Sequence, residues 1–163
     1  MGASESAIST TILMLTMGVT LPLGGWVSDW LVAHYGRNAG RRMVPIVTMT
    51  ASAVLLYLGA GGFGVAATVT LLSLALGLSA CAEGSFWASA MEAGGAQAGA
   101  AGGILNTGGN VGGVFAPIMT PLIASHFGWQ WGLYFGSFVV MLGVATWFFV
   151  DPARPDAALT LGS

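Results

Sequence analysis

Asn106 and Asn110 lie four residues apart in a stretch, residues 93–150, that contains no Lys, Arg, Asp or Glu. In a helix, residues four apart lie on the same face, so both amides would point to the same side. Polar side chains deep in a membrane span cost free energy unless they meet partners, and they often line the route of a solute. The pair predicts a substrate-binding site; hydrogen bonds to neighbouring backbone are the alternative interpretation.

Glu83 is the only carboxylate that falls inside a predicted membrane span. Intramembrane acids are costly, and they often carry protons or bind ions. Glu83 lies near one end of its span, where its side chain could also reach interfacial water. The sequence therefore leaves two hypotheses for Glu83, a proton site or a role in hydrogen bonding at the helix end.

Three of the four basic residues, Arg37, Arg41 and Arg42, lie between two long apolar runs. Cytoplasmic loops of membrane proteins collect Lys and Arg, so we expect residues 29–42 to form a cytoplasmic loop. Asp29 could pair with one of these arginines, or with the positive amino-terminal end of a neighbouring helix. The alternative is that the charged residues only fix the topology.

The composition indicates a membrane protein. Charged residues make up 6% of the chain and apolar residues 55%, whereas a soluble domain carries roughly 25% charged residues. A net charge of -2 argues against a nucleic-acid-binding surface. The single cysteine, Cys81, excludes an intrachain disulfide, and we find no metal-ligand spacing, phosphate loop with a lysine or nucleophile motif. The sequence therefore predicts neither an enzyme nor a resident cofactor.

The apolar runs predict an all-α fold, a polytopic bundle of about five transmembrane helices. About 20 residues of helix cross a hydrocarbon core of about 30 Å. Glycines between 59 and 64 divide one long run, and a polar, tryptophan-rich patch at 125–131 divides another. The predicted spans lie near residues 7–27, 44–61, 65–87, 99–123 and 132–150.

The predicted topology follows from the arginines. With 29–42 inside the cell, 62–64 and 125–131 lie outside, and 88–98 lies inside, where Glu92 would help to close the cytoplasmic side. The carboxyl terminus is then cytoplasmic, and Arg154 joins the other arginines there. We therefore expect a multi-pass protein of the inner (plasma) membrane.

Glycines recur every four residues along the fourth span, as in Gly95, Gly99 and Gly103. Such spacing clears a strip of helix surface, so that a neighbouring helix can approach closely. We expect close helix packing along this span, and a cavity lined by the asparagines is the further interpretation.

The segment Gly24-Gly25-Trp26-Val27-Ser28-Asp29, followed by Arg37 and Arg41-Arg42, resembles a motif of the major facilitator superfamily. In that family the cluster latches the cytoplasmic ends of helices and is released during the transport cycle. The resemblance implies an inner gate formed by Gly25, Asp29, Arg37, Arg41 and Arg42.

A narrower resemblance is to the anion:cation symporter family, which moves organic anions such as sugar acids. The residues that carry it are Gly84-Ser85-Phe86-Trp87, Gly102-Gly103-Ile104-Leu105-Asn106, Gly109-Asn110-Val111-Gly112-Gly113, Pro117 and Phe127-Gly128-Trp129-Gln130-Trp131. The match implies helices eight to twelve of a twelve-helix fold, and symport by alternating access with H⁺ or Na⁺ as the coupling ion.

The resemblance also implies a partner. The family's proton-binding acids and substrate-binding base lie mostly in the first six helices, so we expect a carboxyl-terminal half that needs the amino-terminal half, besides membrane lipid and a small organic anion. The alternatives are a non-transporting remnant, a partner subunit, or a major facilitator transporter of another substrate class.

Overall fold

The computed structural model describes residues 3–151 of the 163-residue chain. The described residues form helices and no strand, which confirms the all-α prediction. Five α-helices follow one another, with a short 3₁₀ turn at Gly95–Gln97: α1 (Ala3–Tyr35), α2 (Arg37–Gly59), α3 (Val65–Gly94), α4 (Ala98–Phe127) and α5 (Trp129–Trp147).

Three helical stretches of residues 3–151 are long and apolar enough to cross a membrane: Ala7–Tyr35, Arg37–Gly59 and Val65–Phe127. The third is 63 residues long and contains both α3 and α4. Helix α5 has 19 residues and is not among the three. These stretches indicate a multi-pass membrane protein, and the crossing of all five helices remains a prediction.

The prediction of a loop over residues 29–42 is wrong. Helix α1 continues through Asp29 to Tyr35, and α2 begins at Arg37, so only Gly36 separates the two helices. Gly36 has a φ of 85°, which glycine adopts without the steric cost that other residues meet. The predicted loop at 88–98 is also mostly helical, because α3 extends to Gly94. Helices α1 and α3 have 33 and 30 residues, more than the roughly 20 that span the hydrocarbon. Their last turns therefore extend beyond the hydrocarbon and carry polar residues.

Helix α3 is central, since it packs against α1, α2 and α4, while α5 packs against α2 and α4. Small residues line its contacts. A Cβ atom added to Gly77 would lie 2.6 Å from the Thr16 methyl group, and the Ser52 hydroxyl of α2 donates a hydrogen bond to the Ala75 carbonyl at 2.7 Å. Close backbone approach and interhelical hydrogen bonds are the interactions that hold helices together in lipid.

Most glycines of α4 do not form the close helix packing that their spacing predicts. A Cβ atom on Gly99 or Gly103 would meet no heavy atom within 4 Å, and the same is true at Gly108, Gly109, Gly112 and Gly113. Gly102 is the exception in α4, because its added Cβ would lie 3.2 Å from the Trp87 ring. The glycine strips of α4 therefore form an open surface in the described chain.

Candidate functional site

Arginines hold together one end of the bundle, which we call the arginine end. It comprises the carboxyl ends of α1, α3 and α5 and the amino end of α2. The Arg41 side chain is 10% exposed, and its Nη1 donates hydrogen bonds to Asp29 Oδ1 at 2.7 Å and to Ser28 Oγ at 3.0 Å. Both partners lie on α1, so Arg41 ties α2 to α1.

The same guanidinium reaches α3. Arg41 Nε and Nη2 donate to Glu92 Oε1 at 3.2 and 2.8 Å, and Arg37 Nε lies 3.8 Å from Glu92 Oε2. Glu92 is 27% exposed, whereas Asp29 is 70% exposed. Because solvent screens exposed ion pairs strongly, the Arg41–Glu92 pair is the stronger link of the two.

Arg42 has a separate role from Arg41. Its Nε donates to the Trp147 carbonyl at 3.1 Å and its Nη2 to the Phe148 carbonyl at 2.6 Å. The last carbonyls of a helix have no partner within the helix, so Arg42 caps the carboxyl end of α5. The predicted gate residues thus divide into an Arg41 network with Asp29 and Arg37, and an Arg42 cap.

Gly24, next to the predicted gate residue Gly25, makes the closest contact between α1 and α3. A Cβ atom on Gly24 would overlap the backbone of Cys81 in α3, whereas one on Gly25 would meet no heavy atom within 4 Å. Gly25 does face α3, since a Cβ atom on Gly84 would lie 3.0 Å from the Gly25 Cα. Adjacent glycines point in different directions around a helix, so the sequence could not distinguish the two.

The sequence did not predict the bonds that two residues of the arginine end, Glu92 and Ser28, form with Arg41. Glu92 was expected to help close this side, but its direct bond with Arg41 depends on how α2 and α3 pack. Ser28 was missed, because a serine beside an aspartate has no distinctive spacing. Arg154, which the predicted topology placed with the other arginines, lies outside the described residues.

Glu83, Asn106 and Asn110 line a single cavity of about 290 Å³ between α3 and α4. We call it the amide cavity. Phe86, Trp87, Leu105 and Gly109 complete its lining. The helical repeat places both asparagines on the face of α4 that meets Glu83, so the structure brings together the three residues that the sequence singled out.

Both amides are exposed and form no hydrogen bond with the described residues. The alternative interpretation, in which the asparagines bond neighbouring backbone, therefore does not describe this structure. Each amide offers two N–H donors and one carbonyl acceptor. These groups remain available to a bound molecule.

Glu83 is the one charged residue in the lining of the amide cavity. Its side chain is exposed, and the described arginines belong to the arginine end. The cavity can therefore offer amide hydrogen bonds together with one carboxylate that changes charge on protonation. Within residues 3–151, no group of three or more His, Cys, Asp or Glu residues is placed to hold a metal ion.

Two comparisons with known proteins bear on the family of this chain. No curated protein matches the chain at a significant level. The family model of the Major Facilitator Superfamily matches residues 1–162, nearly the whole sequence. The chain, a bundle of membrane helices with a polar cavity between two of them, belongs to the major facilitator superfamily.

Proposed function

We propose that the chain forms one helical bundle of a secondary transporter that moves small organic anions, such as sugar acids, by symport. The observation that carries this proposal is the amide cavity, in which Glu83, Asn106 and Asn110 face one another across α3 and α4. Membership of the superfamily supports the general class, because its members are transporters and not enzymes.

The asparagines are the proposed substrate-binding residues. Their amide N–H groups can donate to carboxylate oxygens, and their carbonyls can accept from hydroxyl groups. A sugar acid carries both kinds of group in one compact molecule. In a membrane, amides without partners are costly, so a polar solute that bonds to them relieves an unfavourable state of the empty cavity.

Glu83 is the proposed coupling residue. An ionised Glu83 and an organic anion in the same cavity repel each other, and two unit charges about 4 Å apart interact by roughly 4 kcal/mol at an effective dielectric constant near 20. A proton on Glu83, or a Na⁺ ion beside it, removes this repulsion. The anion then binds best together with H⁺ or Na⁺, which is the condition for symport.

A second helical bundle is the proposed partner. Both amides and most glycines of α4 are uncovered in the described chain. Exposed amides are unfavourable against lipid tails. We therefore place the amino-terminal half of the transporter opposite α4, with the substrate between the two bundles, which rock to expose it to either side of the membrane.

The arginine end is the proposed inner gate, on the cytoplasmic side of the inner (plasma) membrane. Asp29, Arg37 and Arg41 form its ionic network, Gly25 lies at the α1–α3 contact, and Arg42 holds the end of α5. In this orientation the carboxyl terminus is cytoplasmic, which agrees with the preference of arginine for cytoplasmic segments.

A non-transporting membrane subunit is the second candidate. The open glycine strips of α4 favour it, because they offer a surface that a partner's helix could cover without any solute. The two candidates differ in what the amides do, since only the transporter uses them to hold a solute.

Uptake measurements distinguish the candidates. Cells that express the complete open reading frame encoding the chain are given a panel of labelled sugar acids and other organic acids. We expect uptake that depends on an H⁺ or Na⁺ gradient, and a loss of about tenfold or more in Asn110→Ala, because a lost hydrogen bond to a charged group is worth about 1.5–3 kcal/mol. Glu83→Gln should weaken the response to the gradient.

Thr107→Val is the matched control, since Thr107 neighbours Asn106 on α4 but does not line the cavity. It should retain uptake. If Asn110→Ala leaves the uptake of every tested acid unchanged, the substrate-site assignment is wrong. If the unmodified protein takes up no organic acid, the second candidate is favoured.

A further inference from the structure

A second cavity lies next to the amide cavity, nearer the arginine end. It measures about 460 Å³ and is lined by residues of α2, α3, α4 and α5, among them Met49, Ser89, Gly143 and Trp147. We call it the rear cavity. Its lining is mostly apolar, although Thr146 and the Asp151 carboxylate also border it, whereas the amide cavity is lined by two amides and Glu83.

Phe86 and Leu105 line both cavities. Phe86 comes from α3 and Leu105 from α4, so these two side chains form the wall between the cavities. The Phe86 ring stacks on the Trp147 ring of α5, with the centroids 5.2 Å apart and the planes 16° from parallel. A ring packed against such a large partner keeps its position, so the wall has a defined place.

The Ser89 hydroxyl is a polar group in the lining of the rear cavity. Ser89 is only 7% exposed, and its hydroxyl has no hydrogen-bond partner among the described residues. A buried hydroxyl without a partner is unusual in a folded protein and commonly marks the place of an unseen polar group. The rear cavity thus offers apolar surface together with one unused polar contact.

We propose that Phe86 is a specificity-determining residue, which sets the length of the organic acid that the amide cavity accepts. This inference rests on the proposed function of the amide cavity. A compact acid fits between the amides and the Phe86 ring, whereas an acid with a long apolar tail requires the space that the ring occupies. Removing the ring joins the two cavities, and the tail enters the apolar rear cavity.

The effect on selectivity should be large. Phe86→Ala removes an aromatic ring, and in apolar pockets even a single methylene changes discrimination by about tenfold or more. The short acids should gain no affinity, because they lose the contact with the ring and are too short to reach the rear cavity. The ratio of the two affinities therefore reports on the wall itself.

The experiment uses the complete open reading frame in lipid nanodiscs. A labelled short organic acid that binds the unmodified protein is displaced by unlabelled short acids and by a series of phenylalkanoic acids of increasing chain length. In Phe86→Ala we expect phenylalkanoic acids to bind about tenfold more tightly or better, while short acids bind no more tightly than to the unmodified protein. Phe63→Ala, in the exposed turn between α2 and α3, is the matched control and should change neither class.

Two further variants keep the test decisive. Leu105→Ala opens the same wall from α4 and should give a gain in the same direction if Phe86→Ala does not fold. Adding Gly143→Leu to Phe86→Ala fills the rear cavity and should abolish the gain, because Gly143 lines that cavity and not the amide cavity.

The outcomes separate the inference from the proposed function. If the unmodified protein binds no organic acid at all, the proposed function fails and the inference fails with it. If short acids bind normally, and neither Phe86→Ala nor Leu105→Ala changes the preference between short and phenyl-tailed acids, the proposed function stands and the role of Phe86 is overturned.

Discussion

Helix α3 carries a glutamate on each of two opposite sides, and the two have different surroundings. Glu92, on the side that packs against α1 and α2, accepts two hydrogen bonds from Arg41. Glu83, nine residues earlier and therefore two and a half turns away, faces α4 and two amides that make no hydrogen bond within the described chain. The glutamate on one side of α3 is ion-paired with Arg41, and the glutamate on the other side has no ion pair among residues 3–151.

The glycines differ between the same two sides. Gly24 of α1 lies directly against the backbone of α3 at Cys81, whereas most glycines of α4 have open space around them. Polar groups and glycines that are already packed contribute to stability. Groups that are left open contribute little to this bundle, and they are the ones available to a solute or to another bundle. We conclude that stability is concentrated on one side of α3, and binding capacity on the other.

The largest expected effect is on the side of α3 that carries Glu92. Arg41→Ala should lower the free energy of unfolding by about 3 kcal/mol, the lower end for a broken buried pair, because Glu92 keeps 27% exposure. Thermal or denaturant unfolding in detergent measures it. Arg37→Ala is the control and should cost less than about 1 kcal/mol, since Arg37 is 57% exposed and 3.8 Å from Glu92. Equal losses in the two variants would contradict the central role of Arg41.

A smaller effect is expected from the glycines. Gly24→Ala forces a methyl group into the backbone of α3 and should cost about 1–3 kcal/mol, as overpacking does. Gly103→Ala, on the open surface of α4, should be neutral or stabilising by up to about 1 kcal/mol, because alanine favours helix more than glycine does. The same unfolding assay measures both. A destabilised Gly103→Ala would show that α4 is packed after all.

The smallest effect on stability is expected in the amide cavity. Asn110→Leu should change the free energy of unfolding by less than about 0.5 kcal/mol, as exposed substitutions usually do, because the amide loses no hydrogen bond. The same variant should lose organic-acid uptake. Asn106→Leu provides the second measurement. Loss of stability and uptake together would indicate that the amides serve the fold rather than a solute.

Hydropathy and helical periodicity predicted much of this arrangement. The long apolar runs gave the helices, the glycines near residue 60 marked the turn between α2 and α3, and the spacing of Asn106 and Asn110 placed both amides on one face. These features depend on neighbours in the chain, so the sequence contains them directly.

Other features depend on how whole helices rotate and pack. Residues 29–42 include four charged side chains because this segment approaches water, and charge alone does not distinguish a loop from the end of a long helix. Arg41 and Arg42 are adjacent in the sequence, yet one bonds α1 and α3 and the other bonds α5. The wall formed by Phe86 and Leu105 likewise exists only because α3 and α4 meet at that height.

The single-residue joint at Gly36 has a mechanical consequence. Because only Gly36 interrupts helical structure between Ala3 and Gly59, the connection contains no slack chain that could absorb a displacement. A shift of α1 at Asp29 must drag the first turn of α2, and Arg41 with it. Movement of the first two helices would then keep or break the hydrogen bonds between Arg41 and Glu92 of α3.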